Sequence, residues 1–173
     1  MSRFFCELGI DPMAFQLRPL RPDEIPAAAR LVSSVFQKCV APLYGREGIK
    51  EFMSYASPEA FAQRLRADHV GFVVADEPAA ILGVVEIRAN RHISLLFVEA
   101  ESQRRGIGRR LVAAAIEACK AARPDLTTVS VHASPNSVKA YERFGFVATE
   151  PEQEKKGIRF VPMVLSFGSS GGA

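Results

Sequence analysis

The chain has 173 residues, a formal net charge of +3, 48% hydrophobic residues and 24% charged residues. This length suits one domain with a full hydrophobic core, and the ordinary composition excludes a disordered chain. No apolar run reaches the roughly 18 residues that span a bilayer, and the net charge is too small to indicate nucleic-acid binding by itself.

The ends of the chain and its cysteines set the expected context. The N-terminal residues lack a clean apolar stretch followed by a small-residue cleavage site, which argues against a secretory signal. We expect residues 1–12 to be a disordered extension, residues 13–168 to form a single domain and residues 169–173 to be a flexible tail. The three cysteines are widely spaced and not in metal-ligand pairs, which predicts reduced thiols, a cytoplasmic location and no metal. A nucleophilic role for Cys39 stays open, although no base stands beside it in the sequence.

The first part of the chain predicts an edge strand and a helix. Residues 15–18 alternate between apolar and polar, and residues 24–36 carry apolar side chains at helical spacing. Asp23 is the predicted cap of this helix, with Pro26 tolerated in its first turn. Residues 37–57 predict irregular structure because prolines and glycines interrupt them.

The middle of the chain changes from helical spacing to short apolar runs. Ser57 is a predicted cap for a helix that ends at about Ala67. Three apolar runs follow, separated by the turn sequences DEPAA and ANR: residues 70–75, 81–87 and 92–98. Runs joined by such short turns are hairpin-linked strands, so we expect the centre of the sheet to be antiparallel.

The last part of the chain alternates helices and strands. Ile107 to Ala122 predicts a long amphipathic helix. A short helix in SPNSVKAYERFG ends at Gly145, and EQEKKGIRF predicts a hairpin with Gly157 in its turn. Three further strands are expected, at residues 126–132, 146–149 and 160–166. The fold class is therefore α+β.

The stretch QRRGIGRRL joins a strand to the long helix and has the chemistry of an anion site. The first turn of a helix presents unpaired N–H groups and a positive dipole end. Gly106 and Gly108 allow close approach of a ligand to the backbone, and Arg104, Arg105, Arg109 and Arg110 add positive charge. The stretch lacks the GxxxxGK[ST] of a P-loop and a full GxGxxG. A solvated, arginine-rich helix start is the alternative.

Two stretches of the chain resemble the GNAT superfamily of N-acetyltransferases. The first, ISLLFVEAESQRRGIGRRLVAAAIEACKAA, is similar to the acetyl-CoA-binding core, a strand followed by Q/R-x-x-G-x-G/A and a helix. Gln103, Gly106 and Gly108 fit that signature. The second, VSVHASPNSVKAYERFGFVATE, resembles the later strand, the Asn-bearing helix and the passage into the next strand. The resemblance implies a mixed, mainly antiparallel sheet of about six to seven strands, flanked by helices and splayed in a V to hold CoA.

The resemblance also implies how acetyl-CoA, the co-substrate, is held. The pyrophosphate falls to the loop around Gln103 and to the backbone of the neighbouring residues: Arg104, Arg105, Gly106, Gly108 and Arg109. The pantetheine arm pairs with backbone groups of Phe97 and Val98 as an added strand. The Val98 N–H is placed to polarise the thioester carbonyl, and Asn136 is expected to hydrogen-bond the arm.

The expected chemistry is acyl transfer to a primary amine, with Tyr141 implied as the general acid toward the CoA sulfur. For the general base, the alternation of VVEIR makes Glu86 a candidate if its face of the strand looks into the cleft. His92, Ser94 and Glu99 are alternatives, and the base can also be only a chain of water molecules.

Several questions about partners stay open at this level. The acceptor is not readable. We expect the loops KCVAPLYGREGIKEFMSYASPEAF and EPEQEKKGIRF to face it, and the first of them shows no acidic cluster typical of a polyamine or aminoglycoside site. A non-catalytic acyl-CoA sensor and a nucleic-acid binder are the competing readings; we expect no nucleic-acid or membrane partner. The resemblance makes a homodimer plausible.

Overall fold

A computed structural model describes residues 15–67, 69–76 and 80–167 of the chain. The expected N-terminal extension, residues 1–12, and the expected tail, residues 169–173, lie outside these ranges. None of the helices within the described ranges is long and apolar enough to cross a membrane.

The described strands form one continuous sheet, with β7 attached to it through β8. Their bounds are β1 Gln16–Pro19, β2 His69–Asp76, β3 Ala80–Arg88, β4 His92–Val98, β5 Thr128–Ala133, β6 Val147–Ala148, β7 Gln153–Lys155 and β8 Ile158–Ser166. Seven of them lie in the order β1-β2-β3-β4-β5-β8-β6. Within the described chain, β4 and β5 form the one parallel pair and every other pair is antiparallel. The predicted mainly antiparallel sheet, with β1 at its edge, is confirmed.

Five helices cover the two faces of the sheet. They are α1 Ile25–Cys39, α2 Arg46–Tyr55, α3 Pro58–Arg66, α4 Ile107–Ala122 and α5 Val138–Arg143. On one face, α4 buries Leu111 and Ala115 against Ile87 and its neighbours. On the other face, α1 and α3 pack Val32 and Phe61 against the sheet. Alternate residues of each central strand therefore serve two separate apolar clusters.

Several local predictions are confirmed at the level of single residues. Helix α4 has the predicted bounds, and the Ser57 hydroxyl accepts a hydrogen bond of 3.2 Å from the Ala60 N–H at the start of α3. Gly145 has φ of +95°, and Lys156 and Gly157, with φ of +51° and +72°, form the turn between β7 and β8. Left-handed backbone at these positions is what glycine permits at low cost.

Two local predictions are wrong. Asp23 does not cap α1, because a three-residue 3₁₀ turn, Pro22–Glu24, precedes the helix and places Glu24 at the cap position. The Glu24 carboxylate instead accepts hydrogen bonds of 2.7 Å and 2.6 Å from the Arg18 guanidinium. The segment 37–57 is not irregular throughout, since it contains α2. That helix is supported by distant contacts: Phe52 stacks on Phe36 with ring centroids 3.8 Å apart.

A gap opens between β4 and β5. The two strands pair only through His92 with Ser130 and Ile93 with Val131, although β4 continues to Val98. At the same point β4 carries a β-bulge, because Glu86 faces Leu95 and Ile87 faces Ile93, which leaves Ser94 as an extra residue. The predicted V-shaped splay is therefore present, and it begins at the bulge.

Candidate active site

The gap between β4 and β5 widens into a cavity of about 990 Å³. One end, which we call the loop end, is lined by residues of the β4–α4 connection: Gln103, Arg104, Gly106, Gly108 and Arg109. The other, the hairpin end, is lined by side chains of α2, of the inner strands and of the β7–β8 hairpin: Tyr44, Glu51, Phe52, Tyr55, Arg88, His92, Ser94, His132, Lys155, Lys156, Ile158 and Phe160. Tyr141 and the last residues of β4, Phe97 and Val98, also line this cavity.

The backbone of β4 supplies unpaired groups to this gap. The Glu99 N–H donates to the Leu82 carbonyl at 2.8 Å, so the Glu99 backbone faces β3. Backbone groups of successive strand residues alternate in direction, which turns those of Val98 toward β5 and those of Phe97 toward β3. The Val98 N–H therefore faces the gap, and its role toward the cofactor arm stays a prediction. The backbone groups of Phe97 face β3, so they are not available on the cleft side for the predicted pairing. Phe97 instead contributes its side chain to the cleft.

The loop end is shaped by left-handed backbone. Arg104 and Gly106 have φ of +65° and +81°, and α4 begins immediately after Gly106. The Gln103 side-chain amide donates to the Val98 carbonyl at 3.1 Å, which ties the loop to the end of β4. A Cβ built on Gly108 would lie 3.7 Å from Phe144 Cζ, an ordinary contact. The first amides of α4 thus face the cleft beside two positive side chains, the environment that binds phosphate.

The arginines of the loop divide into two groups. Arg104 and Arg109 line the cleft, and Arg109 also donates to the Arg143 carbonyl at 3.4 Å. Arg110 stacks its guanidinium 4.3 Å from the centroid of the Phe15 ring. Arg105 is exposed and is not part of the described cleft lining. Of the four loop arginines, Arg104 and Arg109 are the two that belong to the described cleft lining.

Tyr141 lies in the wall between the two ends. It is 5% exposed and packs edge-on against Phe144 and Phe146. Burial raises the pKa of its hydroxyl above the ordinary value, so the group holds its proton at neutral pH. A protonated phenol that lines a cleft can act as a general acid.

Asn136 joins α5 to α1 across the mouth of the cleft. Its side-chain amide donates to the Cys39 carbonyl at 2.8 Å and accepts from the Ser134 hydroxyl at 2.9 Å. Both Asn136 and Cys39 line the cleft. The side chain predicted to hold the cofactor arm therefore also fixes the distance between the two helices.

Glu86 does not line the cleft as the structure describes it. Its side chain is 0% exposed, and the Arg64 guanidinium holds it in a bidentate pair with distances of 2.8 Å and 3.0 Å. The Tyr55 hydroxyl donates to the same carboxylate at 3.2 Å, and Arg64 lies 3.7 Å from the Tyr55 ring centroid. The predicted alternation of β3 is present, but that face looks toward α3. Glu86 thus positions Tyr55 in the cleft wall and is not placed to take a proton from an amine in the cleft.

The other candidate bases differ in position. His92 lines the cleft, and its Nδ1 lies 2.8 Å from the Ser130 hydroxyl. Burial, with the neighbouring His132, lowers the pKa of His92 to about 4, so the ring is neutral at pH 7. Ser94 lines the cleft, but its hydroxyl oxygen is buried and has no hydrogen-bond partner among the described residues. Glu99 accepts from the Ser102 hydroxyl at 2.9 Å and lies outside the described lining.

The hairpin end is closed by a contact between α2 and the β7–β8 hairpin. A Cβ built on Gly48 would lie 2.0 Å from the Gly157 carbonyl oxygen, so the two backbones touch. Lys156 and Glu51 form an ion pair of 3.2 Å across the same junction, and the Tyr44 hydroxyl donates to the Arg159 carbonyl at 2.8 Å. These contacts make a roof over one end of the cleft.

Sequence reasoning missed this roof and the aromatic stack beneath it. The rings of His92 and His132 lie 4.9 Å apart, and His132 stacks on Phe160 at 4.3 Å. The signal for α2 was present, since Ile49, Phe52 and Met53 have i, i+3, i+4 spacing. Nothing in the sequence pairs α2 with the hairpin, because their contact joins segments more than 100 residues apart.

Comparisons with known proteins agree with this geometry. Residues 40–167 match the family model described as an acetyltransferase (GNAT) domain. No curated protein matches the chain significantly. Within the described ranges, no group of three His, Cys, Asp or Glu side chains is arranged to hold a metal ion.

Solved structures share the fold at low sequence identity. A GCN5-related N-acetyltransferase from Rhodopseudomonas palustris is 22% identical, with a TM-score of 0.76 over 92% of this chain and 100% of that one. PaiA N-acetyltransferase from Thermoplasma acidophilum, solved with coenzyme A, is 17% identical, with a TM-score of 0.72 over 90% and 100%. A chimera of the spermidine N-acetyltransferase SpeG from Vibrio cholerae is 20% identical, with a TM-score of 0.59 over 88% and 95%.

Proposed function

Because the chain belongs to the GNAT acetyltransferase family, we propose that it transfers an acetyl group from acetyl-CoA to a primary amine by direct attack. The observation that carries the proposal is the gap between β4 and β5. The Val98 N–H faces this gap, which runs from the glycine-containing loop before α4 to the protonated Tyr141. One groove thus brings together a place for the donor and an acid for its leaving group.

The loop end fits the pyrophosphate of acetyl-CoA. The left-handed conformations at Arg104 and Gly106 turn successive backbone amides toward the cleft at the start of α4. Arg104 and Arg109 supply the side-chain charge, as both line the cavity. Amides and guanidinium groups that converge on one point stabilise a phosphate by charge-assisted hydrogen bonds.

The β4 edge fits the pantetheine arm. An extended arm that carries amide groups can add to the unpaired side of β4 as a strand would. When bound there, acetyl-CoA supplies the activated acetyl group as its thioester. The Val98 N–H, which faces the gap, would donate a hydrogen bond to an amide carbonyl of that arm.

Proton transfer involves two different sites. Tyr141 donates to the departing sulfur, since burial keeps its hydroxyl protonated. The attacking amine must lose a proton, and His92, Ser94 and ordered water in the cleft are the available routes. The imidazole of His92 is neutral and can accept a proton, although burial weakens it as a base, whereas Glu86 is held by Arg64.

The roof over the hairpin end favours a small acceptor. The contact of Gly48 with Gly157 joins α2 to the hairpin beside that end, which leaves less room for a folded protein surface than for a small molecule. Several neighbours of known fold are named for small amines, among them the spermidine N-acetyltransferase SpeG. A small primary amine is therefore the acceptor that we propose.

The test is to replace Tyr141 with Phe. We expect kcat for acetyl transfer to fall about 100-fold or more because the acid is lost. The thermal stabilisation by saturating acetyl-CoA should not change, since the phenyl ring still fills the wall. Thr149→Val is the control: it removes a hydroxyl whose partner is the Pro162 carbonyl, outside the described cleft lining, and should keep at least half of the turnover.

Each outcome bears on a different part of the proposal. Unchanged turnover in Tyr141→Phe means that Tyr141 is not the acid. A protein that acetyl-CoA stabilises but that acetylates no amine in a broad screen is a sensor of acyl-CoA. The absence of any thermal shift at saturating acetyl-CoA contradicts both the enzyme and the sensor.

A further inference from the structure

The charge of the cleft lining is strongly unbalanced. Within the described lining, the basic residues are Arg88, Arg104, Arg109, Arg143, Lys155 and Lys156. The one acid in that lining is Glu51, and it is already neutralised by its 3.2 Å ion pair with Lys156. At the loop end this positive charge suits phosphates. At the hairpin end, far from the loop, it needs a different explanation.

Arg88 lies at the centre of the positive charge at the hairpin end. It lines the main cavity together with His92, and both residues also line a smaller adjoining cavity of about 210 Å³. The rest of that smaller cavity is Ala89, Arg91, Thr128 and Ser130. No ion pair within the described ranges engages Arg88 or Arg91. Two exposed arginines, Thr128 and Ser130 thus line one small space that adjoins the hairpin end of the cleft.

The pKa values of the two histidines near Arg88, His92 and His132, are lowered in part by the same positive charge. Burial lowers the pKa of His132, and the positive charges of Arg88 and Lys155 lower it further, whereas Glu150 acts in the opposite sense. Neutral imidazoles and uncompensated guanidinium groups disfavour a second cation at this end. They favour an anionic group, which Arg binds through parallel N–H donors.

The distance along β4 is suitable for one small molecule. In the proposed function the pantetheine arm runs along β4 from the loop end, which brings the reacting thioester and the amine toward the bulge at Ser94, where the gap opens. His92 is two residues further toward Arg88. Two residues of extended strand span about 7 Å. A molecule whose amine and carboxylate are separated by one to a few carbons fits this arrangement. Where the molecule is shorter than the strand distance, the long Arg88 side chain covers the difference.

We propose that the acceptor is a small amine that carries a carboxylate, and that Arg88, supported by Arg91, binds the carboxylate at the hairpin end. This inference rests on the proposed function, because it names the acceptor class of the same site. The aromatic side chains Tyr44, Tyr55 and Phe160 line that end and leave room for an apolar substituent. The predicted acceptors are therefore apolar amino acids or close relatives, and a polyamine is disfavoured.

The experiment compares matched pairs of amines with the full-length protein. Alanine, leucine and phenylalanine are each assayed against their carboxamides, with 1,5-diaminopentane as a dication, and kcat/KM is measured with acetyl-CoA saturating. We expect at least one free acid to exceed its amide by 10-fold or more, as the loss of a charged hydrogen bond typically costs. The amide has the less basic amine, so at equal pH the comparison is biased against this result.

A variant then assigns the preference to a residue. In Arg88→Gln we expect kcat/KM for the preferred acid to fall at least 10-fold, while that for its amide stays within about twofold and the KM for acetyl-CoA is unchanged. Arg30→Gln removes an exposed arginine of α1 outside the described cleft lining and should change neither. Calorimetric titration of the CoA-saturated protein with the same acid and amide measures binding without turnover.

The outcomes separate this inference from the proposed function. Acetylation of amides or of the diamine with no preference for an acid overturns the inference and leaves the proposed function intact. A loss of equal size for acid and amide in Arg88→Gln also overturns it. Acid-selective binding without acetyl transfer supports the carboxylate site and contradicts the proposed function. No binding and no acetylation of any probe contradicts both.

Discussion

The two ends of the cleft are built in opposite ways. The loop end comes from one continuous stretch, from the end of β4 to the first turn of α4, and most of its ligand groups are backbone amides. The hairpin end is assembled from side chains of α2, β4, β5 and the β7–β8 hairpin, which are far apart in the chain. Backbone amides can bind the same donor whatever the side chains are, whereas a particular acceptor requires particular side chains.

The largest expected effect comes from the buried carboxylate behind the hairpin end. Glu86→Gln leaves Arg64, whose side chain is 13% exposed, without its charged partner. We expect the free energy of unfolding, measured by urea denaturation, to fall by about 3–5 kcal/mol. Glu117→Gln is the matched control, since its 3.7 Å pair with Lys120 is solvent-exposed and should contribute less than about 1 kcal/mol.

This measurement also decides what Glu86 does. A residue that only positions Tyr55 should lose stability and acceptor affinity together when it is replaced. If Glu86→Gln keeps its stability and loses kcat alone, Glu86 is the general base after all, and the hairpin end contributes chemistry as well as shape.

The second effect separates the two ends directly. Gly48→Ala places a Cβ 2.0 Å from the Gly157 carbonyl oxygen, so the helix and the hairpin must move apart. We expect a loss of about 1–3 kcal/mol in stability and a lower kcat/KM for the acceptor. The Kd of acetyl-CoA, measured by calorimetry, should not change. Gly45→Ala, where nothing lies within 4 Å of the new Cβ, is the control, and equal effects on donor and acceptor would refute the separation.

The smallest effect is expected at the loop end. Gly106 has φ of +81°, a conformation that costs an L-residue roughly 1–2 kcal/mol. In Gly106→Ala the loop either keeps this strain or relaxes away from the phosphates, and we expect the Kd of acetyl-CoA to rise about 10-fold. The KM of the acceptor should stay constant. A change in acceptor KM with an unchanged acetyl-CoA Kd would reverse the roles that we give to the two ends.

The parts of the fold that local sequence determines were predicted well. The bounds of α4 follow from its amphipathic spacing and from Gly106, and the turn at Gly157 follows from a residue that tolerates positive φ. The loop end is readable for the same reason, because its ligand groups belong to consecutive residues. The cap of α1 was missed because an ion pair with Arg18 determines the position of Glu24.

The hairpin end was not readable, and the reason is the separation of its parts along the chain. The alternation of β3 correctly placed Glu86 opposite Val85 and Ile87, yet the partner that neutralises it, Arg64, lies on α3. Likewise, the prolines and glycines of residues 37–57 predict irregular structure, whereas one of them, Gly48, lies within α2 and lets that helix touch Gly157. Such partners are visible only in the three-dimensional arrangement. The hairpin end therefore has to be read from a structure, whereas the loop end can be read from a sequence motif.

The bulge at Ser94 changes which neighbouring strand the backbone groups of the later β4 residues face. The Arg91 carbonyl accepts from the Ser130 N–H and so faces β5, whereas the Glu99 N–H, eight positions later, donates to β3. In a regular strand, residues an even number apart face the same way. The one extra residue at the bulge reverses this alternation for the residues after it. Because of that reversal, the Val98 N–H faces the gap and not β3. An insertion or deletion here would exchange the two edges of the strand, so the length of β4 is itself a determinant of the site.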